Sequence, residues 1–409
     1  MTRTMRERES KMQAGSAGSM GNPRAIARVA PTLVALALLA IALGTTAGCG
    51  NTFGFGNFSS ASATPTSSPG TGAFLYASNY NDGRIAEFAR NTSTGALTLK
   101  GTVTAGASQG PRGLAIDPSN SYLYAANYAD GYVYEFSIRA NGALSSIGKV
   151  ASGTNPEAIA ITPNGQYVYV TNFNRGTNGT VSEYSIGSSG TLSKIGTVTG
   201  LAGPLGVAVT PDGSYLYVAD NTAGVIWSFV INTNGTLTLN GAATPSLGTT
   251  TGTPEFEAVA SDSSGEYLFV TDFSTGAVSG FVVSSGTLIF AGTFTTGSVT
   301  NQPLGIGLAL ASGNYYLFTA NSAGNSVSAF GRLAANLTLF KAVAGPNAPA
   351  GLAVDPQSVY VYTADSGDGT VAQMQINGSC GQVLCAVGTF NSESPANSNA
   401  GTGFVVMTN

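Results

Sequence analysis

Apolar runs of five residues recur along this chain at near-even spacing, and each closes on Asn or Asp. They read Leu75-Tyr76-Ala77-Ser78-Asn79, Leu123-Tyr124-Ala125-Ala126-Asn127, Val168-Tyr169-Val170-Thr171-Asn172, Leu216-Tyr217-Val218-Ala219-Asp220, Leu268-Phe269-Val270-Thr271-Asp272, Leu317-Phe318-Thr319-Ala320-Asn321 and Val361-Tyr362-Thr363-Ala364-Asp365. The closing residues step by 48, 45, 48, 52, 49 and 44 positions. A period of this size predicts a propeller or solenoid built from one repeated supersecondary unit.

The unit at residues 204–250 shows the grammar most clearly. Residues 204–210 are a short apolar strand, and Pro211-Asp212-Gly213 is a tight turn, with Pro presetting φ and Gly accepting φ > 0. Residues 214–219 form a second strand rich in β-branched and aromatic residues. A third strand covers 225–231, Asn234-Gly235 signals a hairpin, and a fourth strand covers 236–242. Four short antiparallel strands per unit predict a propeller blade. One unit is irregular, because Phe256 stands where other repeats have Pro.

The ends fix the chain register. The first repeat opens directly at its second strand, residues 74–78, and the chain finishes on the apolar stretch 403–408. The expectation is an all-β, seven-bladed β-propeller over 72–409, its C-terminal strand supplying the missing inner strand of the first blade (3+1). That pairing leaves no open sheet edge.

Ahead of the repeats, Lys11, Arg24 and Arg28 precede an apolar stretch, 29–43, and then Thr46-Ala47-Gly48-Cys49. A basic region, a short apolar core and small residues before a cut predict an export signal over 1–48. Met1 and Met20 both stand as start positions. The Ala-Gly-Cys ending resembles a bacterial lipobox, with Cys49 as the lipidated residue; Thr46 stands in place of the usual Leu, so plain cleavage and secretion stay open. Residues 49–71 have no periodicity and read as a flexible tether. The expected location is the bacterial cell envelope, periplasmic or at the cell surface, or else the medium.

Without 1–48 the chain keeps 10 basic and 18 acidic residues, a net of −8. Such a balance speaks against a nucleic-acid partner. The chain has no His, which excludes Ser-His-Asp and Cys-His catalysis and the common zinc sites. Cys380 and Cys385 are close enough for a small disulfide in an oxidising compartment, two buried thiols being the alternative. No cofactor, metal or oligomer is signalled. Asp365-Ser366-Gly367-Asp368-Gly369 lacks the acidic spacing of a calcium loop and reads as a hairpin turn.

Val168-Tyr169-Val170-Thr171-Asn172, with the Pro-x-Gly-x-Ala-x-(Thr/Asp)-Pro-(Asp/Asn)-Gly lead-in, resembles the YVTN and lactonase-like seven-bladed propellers. That group includes propeller-type 6-phosphogluconolactonases and muconate-cyclising enzymes. The resemblance spans residues 72–408. It implies Arg, Glu and His at one mouth of a central channel, with a Gly-Pro-Arg-His phrase opening an inner strand. Here Gly110-Pro111-Arg112-Gly113 keeps the Arg and has Gly113 in place of His.

Charges expected at the starts of first strands are Arg112, Glu157 and Glu255 with Glu257. A lactone hydrolase needs a base for water and a cation at the oxyanion, which makes Glu157 or Glu257 the candidate base and Arg112 the oxyanion partner. The opposing reading makes them solvated rim charges on a binding propeller whose mouth takes a protein, glycan or small-molecule ligand. The Asn/Asp series reads as turn caps, through side-chain hydrogen bonds to backbone. Trp227 reads as packing between blades.

Overall fold

Burial explains why the repeated phrase lacks polar alternation. The second strand of each unit, such as Tyr167–Asn172, lies between two other strands and is covered on both faces. The fourth strand, such as Leu97–Thr104, has one face in solvent and alternates accordingly. The structure is a computed structural model. It describes residues 53–54, 57–58, 73–106, 110–174, 177–243, 256–392 and 402–408, with backbone alone for 53–54, 57–58, 256–259 and 402–403. The export segment, Cys49 and Glu255 lie outside these residues.

Seven four-stranded antiparallel blades form a ring. Their inner strands are Thr402–Met407, Pro111–Ile116, Pro156–Ile161, Pro204–Val209, Phe256–Ser261, Pro303–Ala311 and Pro349–Val354, for blades one to seven. Each packs on its neighbours, and the seventh meets the first. The C-terminal strand supplies the inner strand of blade one. Leu75 pairs with Met407 and Tyr76 with Val406, while Phe74 N–H donates to the Thr408 hydroxyl at 2.9 Å. Val405, Val406 and Met407 are buried there. Phe256 pairs with Asp272 just as Pro111 pairs with Asn127, so the irregular unit keeps its register.

Every inner strand runs from one mouth of the channel, called upper here, to the opposite, lower face. Upper positions carry the closing Asn/Asp series. Lower positions carry the first turns and the hairpins between third and fourth strands. Gly165 and Gly213 take φ of 68° and 74° in the first turns; Asn120 and Ser358 hold the same place in blades two and seven at 57° and 54°.

Neighbouring blades are tied by groups from the repeat itself. The second-strand Tyr hydroxyls donate to a hairpin carbonyl of the next blade: Tyr76 to Gly142 and Tyr124 to Gly190 at 2.8 Å, Tyr169 to Gly235 at 2.9 Å. Tyr362 closes the ring by donating to Gly95 at 2.6 Å. In the third strands Glu87, Glu135 and Glu183 each accept the N–H of Leu144, Leu192 and Leu237 of the next blade. Gly190 and Gly235 hold φ of 80° and 81°, and a Cβ on either would run into the ring of Tyr122 or Tyr167. The hairpin Gly is thus required twice, by its own turn and by the neighbouring blade.

Two short strands are described ahead of the propeller. Phe53–Gly54 and Asn57–Phe58 pair with each other as a hairpin. Phe53 also pairs with Leu308 of blade six, and Asn57 with Ile161 of blade three. The inner strands leave backbone N–H and C=O groups facing the channel, and an added strand satisfies some of them.

Candidate functional site at the upper mouth

The upper mouth is set by one register position. In each inner strand the first residue pairs with the closing Asn/Asp of its own blade, and the strand then bulges. The residue after that first one is Arg112 in blade two, Glu157 in blade three, Leu205 in blade four, Glu257 in blade five, Leu304 in blade six and Ala350 in blade seven. All three proposed site residues therefore share one level of the channel. Arg112 and Glu157 meet; Glu257 stands two blades from Glu157, and its side chain lies outside the described residues.

Arg112 Nη1 contacts both carboxylate oxygens of Glu157, at 2.7 and 2.8 Å. The Glu157 side chain is 7% exposed, whereas that of Arg112 is 34% exposed. Two tyrosines that directly follow the closing Asn residues flank the guanidinium. Its centre lies 4.8 Å from the Tyr80 ring centroid and 4.2 Å from that of Tyr128, and the rings meet edge-on at 6.2 Å. Cation–π attraction to two rings adds to the ion pair. Ser78 Oγ donates to the Arg112 carbonyl at 3.2 Å and so fixes the strand that carries the guanidinium.

Burial works against the charge of Arg112, but the Glu157 carboxylate outweighs it and raises the guanidinium pKa above its ordinary value. Burial pushes the Glu157 carboxyl upward, and the guanidinium opposes that rise. The short contact to both oxygens is that of a carboxylate. A ligand at the mouth thus meets a cation between two aromatic faces, with the anion behind it. Only Nη1 is committed to Glu157, and a guanidinium has five N–H donors.

The site has no room for the family's His. A Cβ on Gly113 would lie 2.5 Å from the Glu157 carbonyl oxygen and 3.0 Å from Ala158 Cα. Inner strands converge here, and the third position is small in neighbouring blades too: Ala158, Gly206, Gly305 and Gly351. A His at 113 would require blades two and three to separate.

The closing Asn/Asp residues are buried caps. Asn127 Oδ1 accepts the N–H groups of Ala129 and Asp130, and its amide donates to the Ala105 carbonyl. Asp220 accepts from Ala202, Gly203 and Ala223 N–H and from Trp227 Nε1, which accounts for the single Trp as a partner of its own blade's cap. The hydroxyl before the cap ties blades at the mouth: Thr171 Oγ1 donates to the Leu205 carbonyl at 2.6 Å and Thr271 Oγ1 to that of Leu304 at 3.1 Å. Asp365 is the exception in charge. Burial, with nearby Asp368 adding to it, pushes its carboxyl up to about 7. Cys380 and Cys385 are joined in a disulfide, with Cα atoms 5.9 Å apart.

Sequence reasoning singled out Arg112 and Glu157, which the fold brings together, and did not single out Tyr80 and Tyr128 beside them. Their signal was present, since a Tyr follows Asn79 and Asn127 alone among the seven phrases.

A family model described as Lactonase, 7-bladed beta-propeller, matches residues 52–141 and 128–303. No functionally curated protein matches the sequence. Among solved structures, a candidate 6-phosphogluconolactonase of Bacteroides fragilis superposes with a TM-score of 0.69 at 19% identity, over 84% of this chain and 100% of that one. The periplasmic gluconolactonase of Pseudomonas aeruginosa gives 0.69 at 17%, over 82% and 99%. A Lactobacillus plantarum protein gives 0.69 at 18%, over 83% and 99%. At these identities the structures share the fold. The sequence match, spanning more than half of the chain, agrees with the ring of seven blades: the chain belongs to the seven-bladed lactonase propeller family.

Proposed function

We propose that this protein is an exported, lipid-anchored binding propeller whose upper mouth takes a small anionic, polyhydroxylated ligand. One observation carries the reading: a guanidinium one-third exposed between the Tyr80 and Tyr128 rings, its counter-ion buried behind it. The exposed cation suits a carboxylate or phosphate. The flanking rings suit the apolar faces of a sugar. Export and anchoring rest on the signal-like segment ending at Cys49.

A second reading keeps the family's chemistry: hydrolysis of a sugar lactone, with Glu157 taking the proton of a water and Arg112 holding the oxyanion. Burial of Glu157, which raises its affinity for a proton, favours it. The geometry weighs against it, because both Glu157 oxygens already contact Arg112.

Calorimetric titration with gluconate separates occupancy from turnover. Binding that weakens at least tenfold on Arg112→Ala, with the fold retained by circular dichroism, is the expected result. Equal binding by both proteins would remove the mouth from the account.

A further inference from the structure

We propose that the lower face of blade six rests on a lipid bilayer, with Leu310, Tyr315 and Leu333 entering its interface. The inference rests on the reading of Cys49 as a lipid anchor and adds which way the propeller then faces.

Blade six breaks the repeat twice on this face. The other six blades place a polar residue at the end of the inner strand, opposite the residue just before the repeated phrase: Thr408, Asp117, Thr162, Thr210, Asp262 and Asp355. Blade six has the buried pair Ala309 and Tyr316 there, and its hairpin runs on past them to Leu310, 46% exposed, paired with Tyr315, which is 42% exposed. At the end of the third strand the other blades have Asn91, Arg139, Gly187, Asn232, Ser284 and Asn377. Blade six has Leu333, 82% exposed. Tyr315 pairs with Arg332, next to Leu333, so the three positions lie together at the lower end of the blade.

What covers these positions follows from where the chain comes from. The first described propeller residue, Ala73, lies at the lower face, because the second strand that follows it climbs to the upper mouth. Phe53–Gly54 is antiparallel to the inner strand of blade six and meets it at Leu308, so it too is entered from below. Leu308 is two residues from Leu310. Phe53 is four residue steps from Cys49, a reach of about 14 Å at most. Acyl chains on Cys49 would therefore start beside these positions. Leu and Tyr at the tips of turns are side chains that settle at the boundary of headgroups and acyl chains. The Arg112 mouth would then point away from the bilayer, open to solutes.

The test uses the full chain purified from bacterial membranes and placed in phosphatidylcholine vesicles whose acyl chains are brominated near the headgroup. A Trp227→Phe background carries either Leu333→Trp or Val299→Trp. Val299 is 71% exposed in the loop leading to the upper start of blade six. If the background does not fold, Trp227 is kept, since its contribution is common to both proteins. Mass spectrometry of the N-terminal peptide reads the state of Cys49. The expected result is at least twofold stronger quenching at position 333 than at 299. Equal quenching at the two positions, or none at 333, overturns the proposal, as does a dimer in sedimentation that Leu333→Asp disperses. Quenching at 333 with Cys49 unmodified upholds the lower face as the membrane surface and refutes the anchor.

Discussion

The junctions among blades one to four and those among blades five to seven solve the same packing problem differently. In the first group Tyr76, Tyr124 and Tyr169 reach a carbonyl of the next blade, and Glu87, Glu135 and Glu183 accept one of its N–H groups. In blades five and six the same positions hold Phe269 with Gly280 and Phe318 with Ala329. Gly280 lets the neighbouring chain approach until a Cβ would lie 2.6 Å from the Ala335 carbonyl oxygen. At the five–six junction a buried ion pair replaces the polar ties: Arg332 Nη2 lies 3.3 Å from Asp262 Oδ2, with the guanidinium over the rings of Tyr267, Phe269 and Tyr315. Arg90 and Asp355, 3.2 Å apart, occupy the equivalent places at the seven–one junction. What recurs is therefore the demand to satisfy buried polar groups, and a hydroxyl, a carboxylate or an ion pair meets it.

The largest expected effect is on the strand that completes the ring for both groups. Deleting residues 402–409 exposes the edge of Phe74–Asn79 and removes three buried apolar side chains. Soluble yield should collapse; a truncated protein as soluble and heat-stable as the parent would refute 3+1 closure.

Next is the ion pair. Arg332→Ala leaves Asp262 buried without its cation, at about 3–5 kcal/mol in chemical unfolding. Arg332→Ile with Asp262→Thr copies Ile231 and Thr162 of the three–four junction and should regain most of that loss. A double variant no better than the single one would mean that the two junction types are not interchangeable.

Smaller is the hydroxyl tie. Tyr169→Phe strands the Gly235 carbonyl and should cost about 1 kcal/mol, whereas Phe269→Tyr should gain nothing. An equal response at both sites would erase the distinction between the groups.

The carboxylates should give the smallest effect, with a sign set by pH. Burial raises the pKa of Glu135, and the Leu192 N–H only partly opposes it. The folded state then holds a proton that the unfolded chain has released, so stability falls as pH climbs above the ordinary carboxylate range. Glu135→Gln keeps an acceptor for the Leu192 N–H and loses the charge; blade seven already holds an uncharged side chain at this place, Gln373, which donates to the Thr94 carbonyl of the next blade. Thermal melts at pH 8 should rise by about 1–2 °C and lose part of their pH slope. A steeper slope would reverse the argument. Asp365, pushed up to about 7 by burial, belongs to the same class.

Much of this was legible in sequence because it repeats. The phrase around Val168–Asn172 announced a doubly buried strand and its cap, and the unpaired segments at the two ends announced the closure. Arg112 and Glu157 were legible as charges at the start of inner strands, where blades four, six and seven have Leu or Ala. The junction ties were not, since Tyr169 and Gly235 lie 66 residues apart and only the ring brings them together. Nor was the missing room at Gly113, which depends on the backbone of the next blade.

Acid release from glucono-δ-lactone and 6-phosphogluconolactone tests most directly the proposal that the upper mouth binds without turnover. With the purified protein at neutral pH, the predicted rate equals spontaneous hydrolysis and is unchanged by Arg112→Ala. A protein-dependent rate that disappears on Arg112→Ala or Glu157→Gln would contradict it and make this propeller a lactonase.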